Sequence, residues 1–187
     1  MPGEPAGSDN TALARKVLAL AESRAPTLGS GRLICIDGLA GSGKTTFADE
    51  LGHVARCRVI HLDDIYPGWR GLEEVAQEVL PLLAALSQDQ PGRYRRWDWT
   101  QMSYVAEVTV DPTDLLVIEG VGSGQRAWAD LITVLVWIDA SQDVRLARGL
   151  ARDGIAVRDQ WLQWQHDELA LLVREQTDVR ADLRWRT

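Results

Sequence analysis

Gly38-Leu39-Ala40-Gly41-Ser42-Gly43-Lys44-Thr45, with Leu33-Ile34-Cys35-Ile36-Asp37 before it and Thr46-Phe47-Ala48-Asp49-Glu50-Leu51 after it, is the stretch on which the fold turns. It spells G-x-x-x-x-G-K-[ST] between an apolar run of strand length and a segment of helical character. Glycines let successive backbone amides turn inward toward a polyphosphate. The helix that begins there adds unpaired N–H groups and the positive end of its dipole. The Lys44 side chain reaches the β- and γ-phosphates of a triphosphate bound in this way, and the Thr45 hydroxyl reaches its Mg²⁺. Gly38, Leu39, Ala40, Gly41, Ser42, Gly43, Lys44, Thr45 and Thr46 are therefore the expected triphosphate-binding residues. The competing reading is a glycine-rich turn with an incidental Gly-Lys-Thr, and a complete motif with both flanks correct argues against it.

Outward from this loop, apolar periodicity lays strands and helices alternately along the chain. Helices are expected over 11–25, 43–54, 71–87, 125–131, 141–153 and 156–175. Strands are expected over 32–37, 58–62, 105–110, 115–118, 132–138 and 181–186. Pro81 falls inside the third helix and is expected to end or kink it near Leu80. The first helix is expected at a sheet edge, and 88–111 is the least regular region. Such alternation predicts an α/β fold of three layers, a parallel sheet with helices on both faces, here with a short helical lid over about 145–158. Residues 1–10, rich in Pro, Gly and small polar side chains, read as a flexible tail, and 11–187 as one domain with an irregular region over about 63–104.

Composition narrows the function. The chain has 187 residues, of which 45% are hydrophobic and 25% charged, as in ordinary soluble domains. A net charge of −7 argues against a nucleic-acid partner held through phosphates. No apolar run reaches the ~20 residues of a membrane span. Cys35 and Cys57 read as buried thiols in a reducing compartment, the cytoplasm. The three histidines lack ligand spacing, so a structural zinc is not expected.

In parallel sheets, ligands gather at the carboxyl ends of the strands, where Asp63, Glu119 and Asp139 stand. Glu119 closes an apolar strand and precedes a glycine, the position from which an acid holds Mg²⁺ beside Thr45. Asp63 can accept the proton of an attacking hydroxyl, with Asp64 supporting it. Either acid could equally be an ordinary turn residue. Arg145, Arg148 and Arg152 fall at i, i+3 and i+7 on one helix face, from which guanidinium groups can chelate phosphate oxygens. The bland reading is a solvated basic face paired with Asp143 and Asp153.

Taken together, Gly38 to Thr46, Asp63-Asp64-Ile65-Tyr66, Tyr94 to Trp99, Val117-Ile118-Glu119-Gly120 and Arg145 to Asp153 resemble the uridine kinase and phosphoribulokinase branch of the P-loop kinases, in the family's order. The resemblance implies an ATP- and Mg²⁺-dependent phosphotransferase acting on a small-molecule hydroxyl acceptor, with a nucleoside such as uridine or cytidine foremost. It implies that Asp63 is the catalytic base, Tyr66 packs on the substrate, and Arg148 and Arg152 act with Lys44 on the transferring phosphate. The acidic segment that usually follows Asp-x-x-Tyr is replaced here by Pro67-Gly68-Trp69-Arg70-Gly71. Other acceptors (a nucleotide, a sugar, a vitamin precursor) stay open, as does a nucleotide-binding switch acting through a protein partner. Oligomeric state is not readable.

Eight tryptophans against one phenylalanine is an unusual balance. Trp69, Trp97 and Trp99 fall in the irregular region and are candidates to sandwich a planar acceptor, with Asp98 hydrogen-bonding it. Core packing is the alternative for each. Arg95 and Arg96 are candidates for contact with an anionic acceptor. Trp128, Trp137, Trp161, Trp164 and Trp185 read as packing residues, and Trp161, Trp164 and Glu168 as a helical packing stripe without chemistry.

Overall fold

The structure, a computed structural model, describes residues 6–187. Its organisation follows from the strand before the phosphate loop, where alternate side chains serve two different cores. Leu33 and Cys35 belong to one core; Ile34 and Ile36 belong to the other. Both sets are fully buried, as expected of a central parallel strand covered on both faces.

In chain order the elements are α1 (Ala6–Glu22), β1 (Arg32–Asp37), α2 (Lys44–Ala55), β2 (Arg58–His61), α3 (Val75–Leu86), β3 (Gly92–Asp98), β4 (Ser103–Val110), β5 (Leu115–Glu119), β6 (Val134–Asp139), α4 (Gln142–Asp153), α5 (Arg158–Glu175), α6 (Thr177–Arg180) and β7 (Leu183–Arg186). Short 3₁₀ turns intervene, at Gly68–Arg70 and Ile155–Val157 among other places. The main sheet is parallel in the order β2-β5-β1-β6-β7. Chain direction across the sheet reverses at β1, so the phosphate loop opens at the switch point where such sheets bind ligands. Helices α1 and α2 cover one face through Val17, Phe47 and Leu51; α3 and α5 cover the other through Val79, Leu82, Trp164 and Leu171. This is the expected three-layer α/β fold.

Several local expectations need correction. Helix α1 begins at Ala6, five residues early, and lies beside α2 over a sheet face, not at an edge. Of the expected tail, residues 1–5 lie outside the described residues, and from Ala6 the backbone is helical. The region 88–111 is not irregular. It forms an antiparallel β3–β4 hairpin, a second sheet whose inner residues Tyr94 and Val110 join the α3 core.

Pro81 does not end α3; the helix runs through it to Leu86. A proline there leaves the Gln77 carbonyl without its intrahelical donor and costs about 3 kcal/mol. Val79, Leu82, Leu83 and Leu86 are buried on the inner face and outweigh that cost, each contributing roughly 1.5–3 kcal/mol. Because Pro81 itself is exposed, Pro81→Ala is expected to stabilise the fold by about 1–2 kcal/mol, read as a higher denaturation midpoint at unchanged slope. Among the described residues, no helix is long and apolar enough to cross a membrane.

Candidate active site

One cavity of about 740 Å³ opens at the carboxyl end of the sheet. Its floor is the phosphate loop, from which Ala40, Gly41, Gly43, Lys44, Thr45 and Thr46 line the space. Gly38, Leu39 and Ser42, expected with them, lie beneath that surface and are buried. They shape the loop from below: the Leu39 carbonyl accepts from Lys44 Nζ at 3.1 Å, and the Ser42 amide closes a turn onto the same oxygen. Gly41 has a φ of +79°, and a Cβ on it would fall 2.4 Å from the Arg145 carbonyl oxygen. Its need for glycine thus comes from helix α4 behind the loop as well as from the ligand side.

The acids stand where the strands end. Glu119 is buried, and its Oε1 accepts from the Thr45 hydroxyl at 3.1 Å and lies 2.8 Å from His61 Nδ1. With the carboxylate ionised, the ring nitrogen is the donor, and this hydrogen bond raises the His61 pKa against the opposing effect of its own burial. His61 is half-buried and braces Glu119. A hydroxyl and a carboxylate so close are hard oxygen donors that fit Mg²⁺, which takes one or two protein ligands and completes its shell with phosphate oxygens and water. No cluster of three or more metal-binding side chains gathers among the described residues, and such a site does not need one.

Asp63 and Asp64 follow β2 in a 3₁₀ turn and both line the cavity. The Asp63 side chain is 55% exposed and lines the enclosing cavity. That enclosure, followed by the neighbouring Glu119 charge, pushes its pKa up, while Lys44 and Arg152 pull it down.

Helix α4, packed against the loop, brings in the arginines. Arg148 and Arg152 line the cavity; Arg148 donates to the Thr187 hydroxyl at 2.8 Å, and Arg152 pairs with Asp153 and approaches Asp63 at 4.0 Å. Arg145, on the same face by sequence spacing, is buried instead and paired with Glu168 at 2.7 Å. Burial pushes the Glu168 pKa up; the Ala40 amide and the Lys44 and Arg145 charges counter it.

The aromatic wall differs most from expectation. Trp69 and Trp99 line the cavity, and Trp99 Nε1 donates to the Asp63 carbonyl at 2.7 Å, tying the hairpin tip to the end of β2. Trp161 and Trp164 of α5, read as packing residues, line it as well. Trp69 is the hub, meeting Trp99, Trp161 and Trp164 edge-on at 5.6, 6.0 and 6.2 Å between ring centroids. The remaining expected acceptor residues lie outside the wall. Tyr66 is buried, with its hydroxyl donating to the Val121 carbonyl and its ring against Trp164. Trp97 packs on Tyr104 across the hairpin. Asp98 accepts from the Thr100 and Gln101 amides and caps the hairpin turn. Arg95 is held by Glu78 and stacks on Tyr104, and Arg96 is exposed on the same strand, so neither serves the cavity.

Asp37 went unrecognised in the sequence. It is buried at the end of β1 and accepts from the amides of Gly38, Gly122 and Gly124 at 2.7, 2.9 and 3.0 Å. One carboxylate thereby fixes the entry to the phosphate loop against the turn that follows Glu119. Its burial pushes the pKa up, opposed by these three donors. An acid directly preceding the first loop glycine was the only available signal.

Residues 34–170 match the family model described as AAA domain. No curated protein is matched. Among solved structures, the fold is shared with a possible uridine kinase from Bacillus stearothermophilus (TM-score 0.64, 21% identity, covering 95% of this chain and 98% of that one). A putative fructose transport system kinase from a Silicibacter species is also similar (TM-score 0.58, 20% identity, 98% and 100% covered). So is a D-glycerate 3-kinase from Cryptococcus neoformans (TM-score 0.50, 15% identity, 88% and 85% covered).

Proposed function

We propose, from the premise that this chain belongs to the AAA domain family and has a P-loop kinase fold like that of the possible uridine kinase, that it is an ATP- and Mg²⁺-dependent kinase of a small-molecule alcohol, foremost a nucleoside. The observation that carries the reading is a single cavity lined at once by the phosphate loop, a carboxylate raised toward proton acceptance and two lid arginines. A pure nucleotide switch has no use for the four tryptophans that line the same cavity, Trp69, Trp99, Trp161 and Trp164.

In this reading the loop amides and Lys44 hold the triphosphate. Thr45 and Glu119 would hold Mg²⁺, which neutralises charge on the phosphates when bound. Asp63 takes the proton of the acceptor hydroxyl as its oxygen bonds to the γ-phosphorus and the bond to the ADP oxygen breaks. Arg148 and Arg152 exchange their resting partners for the transferring phosphoryl group and stabilise its equatorial oxygens. Trp69, Trp99, Trp161 and Trp164 hold the body of the acceptor and exclude water, so that ATP is not hydrolysed. Tyr66 supports Trp164 from behind. Free Cys35 and Cys57 suit a cytoplasmic setting.

The test is ADP release with ATP and Mg²⁺ across nucleosides, nucleoside monophosphates, sugars and vitamin precursors. Strong stimulation by one nucleoside is the expected result. Stimulation by another class moves the substrate and keeps the kinase. Basal hydrolysis indifferent to every metabolite indicates the switch.

A further inference from the structure

Lid helix α4, acceptor-wall helix α5 and the phosphate loop meet at one buried point. Glu168 of α5 accepts the Ala40 amide at 2.6 Å through Oε2 and the Arg145 guanidinium at 2.7 Å through Oε1. Arg145 of α4 returns a longer hydrogen bond to the Ala40 carbonyl at 3.3 Å. Both peptide edges of Ala40 are thus gripped, one by each helix. Both charged side chains are almost wholly inaccessible (4% and 0% exposed) although Ala40 itself lines the cavity.

The same helices carry the rest of the site at fixed helical offsets. Arg148 and Arg152 follow Arg145 by one and two turns, and Trp164 and Trp161 precede Glu168 by one and two turns. The helices are also locked to each other near the junction, since a Cβ on Gly149 would fall 2.4 Å from the Trp161 ring. A buried ion pair of this kind adds little net stability over apolar residues of equal volume. What it does supply is geometry, because it fixes the direction of one loop amide relative to two other elements.

We infer that Arg145 and Glu168 are positioning residues that clamp Ala40 and hold the phosphate loop in register with the lid arginines and the tryptophan wall. The clamp rests only on the nucleotide-binding half of the function proposed above and is indifferent to which alcohol is phosphorylated. Neither residue touches the reacting atoms. Loss of the clamp frees the Ala40 peptide to rotate, which spoils the row of amides that receives the triphosphate.

Two double variants test this, since removing one partner alone would strand a buried charge. Arg145→Met with Glu168→Leu removes both charges and leaves the Ala40 amide without an acceptor. Arg145→Met with Glu168→Gln removes the charges and keeps an amide oxygen for Ala40. The first is expected to weaken binding of a fluorescent ADP analogue, displaced by Mg-ATP, by about ten- to a hundredfold, and the second by about threefold or less. Equal affinities in the two, or weakening that only follows a fall in Tm, would overturn the inference. Hydrogen exchange of the Ala40 amide in the unaltered chain gives a readout free of folding artefacts: protection supports the clamp, and exchange at the rate of an open loop overturns it. If no alcohol is ever phosphorylated while the two affinities still separate, the clamp stands and the kinase reading falls.

Discussion

Asp63→Asn is expected to lower the rate of phosphoryl transfer by about 10²- to 10⁴-fold, the usual worth of a positioned general base. The affinity for Mg-ATP should change little, because the loop amides and Lys44 are untouched. Stability should move the other way. The native pKa of Asp63 is raised, so its favourable contribution is complete below the ordinary aspartate value near ~3.9 and is lost as pH rises through the raised value. At neutral pH the ionised side chain is therefore a cost, modest because solvent reaches it through the cavity. The asparagine variant should melt at the same temperature as the parent or slightly above it at pH 7, with the difference closing under acid conditions. The acid limb of kcat/KM in the parent should likewise lie above the ordinary aspartate range. Transfer that survives Asp63→Asn with unchanged ATP binding removes the base from the scheme.

The second large effect is expected at Trp69. Its ring joins Trp99 of the hairpin to Trp161 and Trp164 of α5, so Trp69→Ala opens the chamber on three sides. Loss of an aromatic wall worth about 2 kcal/mol to a bound ring raises the acceptor KM about thirtyfold. The KM for ATP should stay within about twofold, since on the proposed reading the loop amides and Lys44, not Trp69, hold the triphosphate. Trp97→Ala is the control: it removes a contact with Tyr104 on the hairpin and should affect stability without a selective rise in acceptor KM. Equal rises in both KM values for Trp69→Ala would mean that the tryptophan cluster is structural support and not an acceptor wall.

The parts of this site that could be read from sequence are those whose chemistry is local. The phosphate loop declares itself because its glycines, lysine and threonine are consecutive and both flanks are regular. Glu119 and Asp63 are legible because strand ends are easily located and strand ends face ligands. Strand β3 escaped because a bulge between Arg96 and Trp97 breaks its alternation, and charged residues take its outer face. Trp161 and Trp164 are buried packing residues as read, yet they line the cavity too, and that second role escaped for a different reason. Helical spacing identifies a side as inward, but a wall of a cavity and a wall of a core have the same periodicity. Arg145 and Arg148 share a helix face to within the resolution of that spacing, yet only tertiary contact sends one to Glu168 and the other to the cavity. Pro81 was given its usual weight as a helix breaker, which the four inward-facing apolar residues around it overrode.

The β3–β4 hairpin is a sheet of its own, and it reaches the catalytic end through the Trp99 indole donating to a main-chain carbonyl. A main-chain acceptor survives any change of side chain beside it. On the kinase reading proposed above, the hairpin can therefore be reshaped, and with it the Trp99 part of the acceptor wall, without touching the phosphate loop.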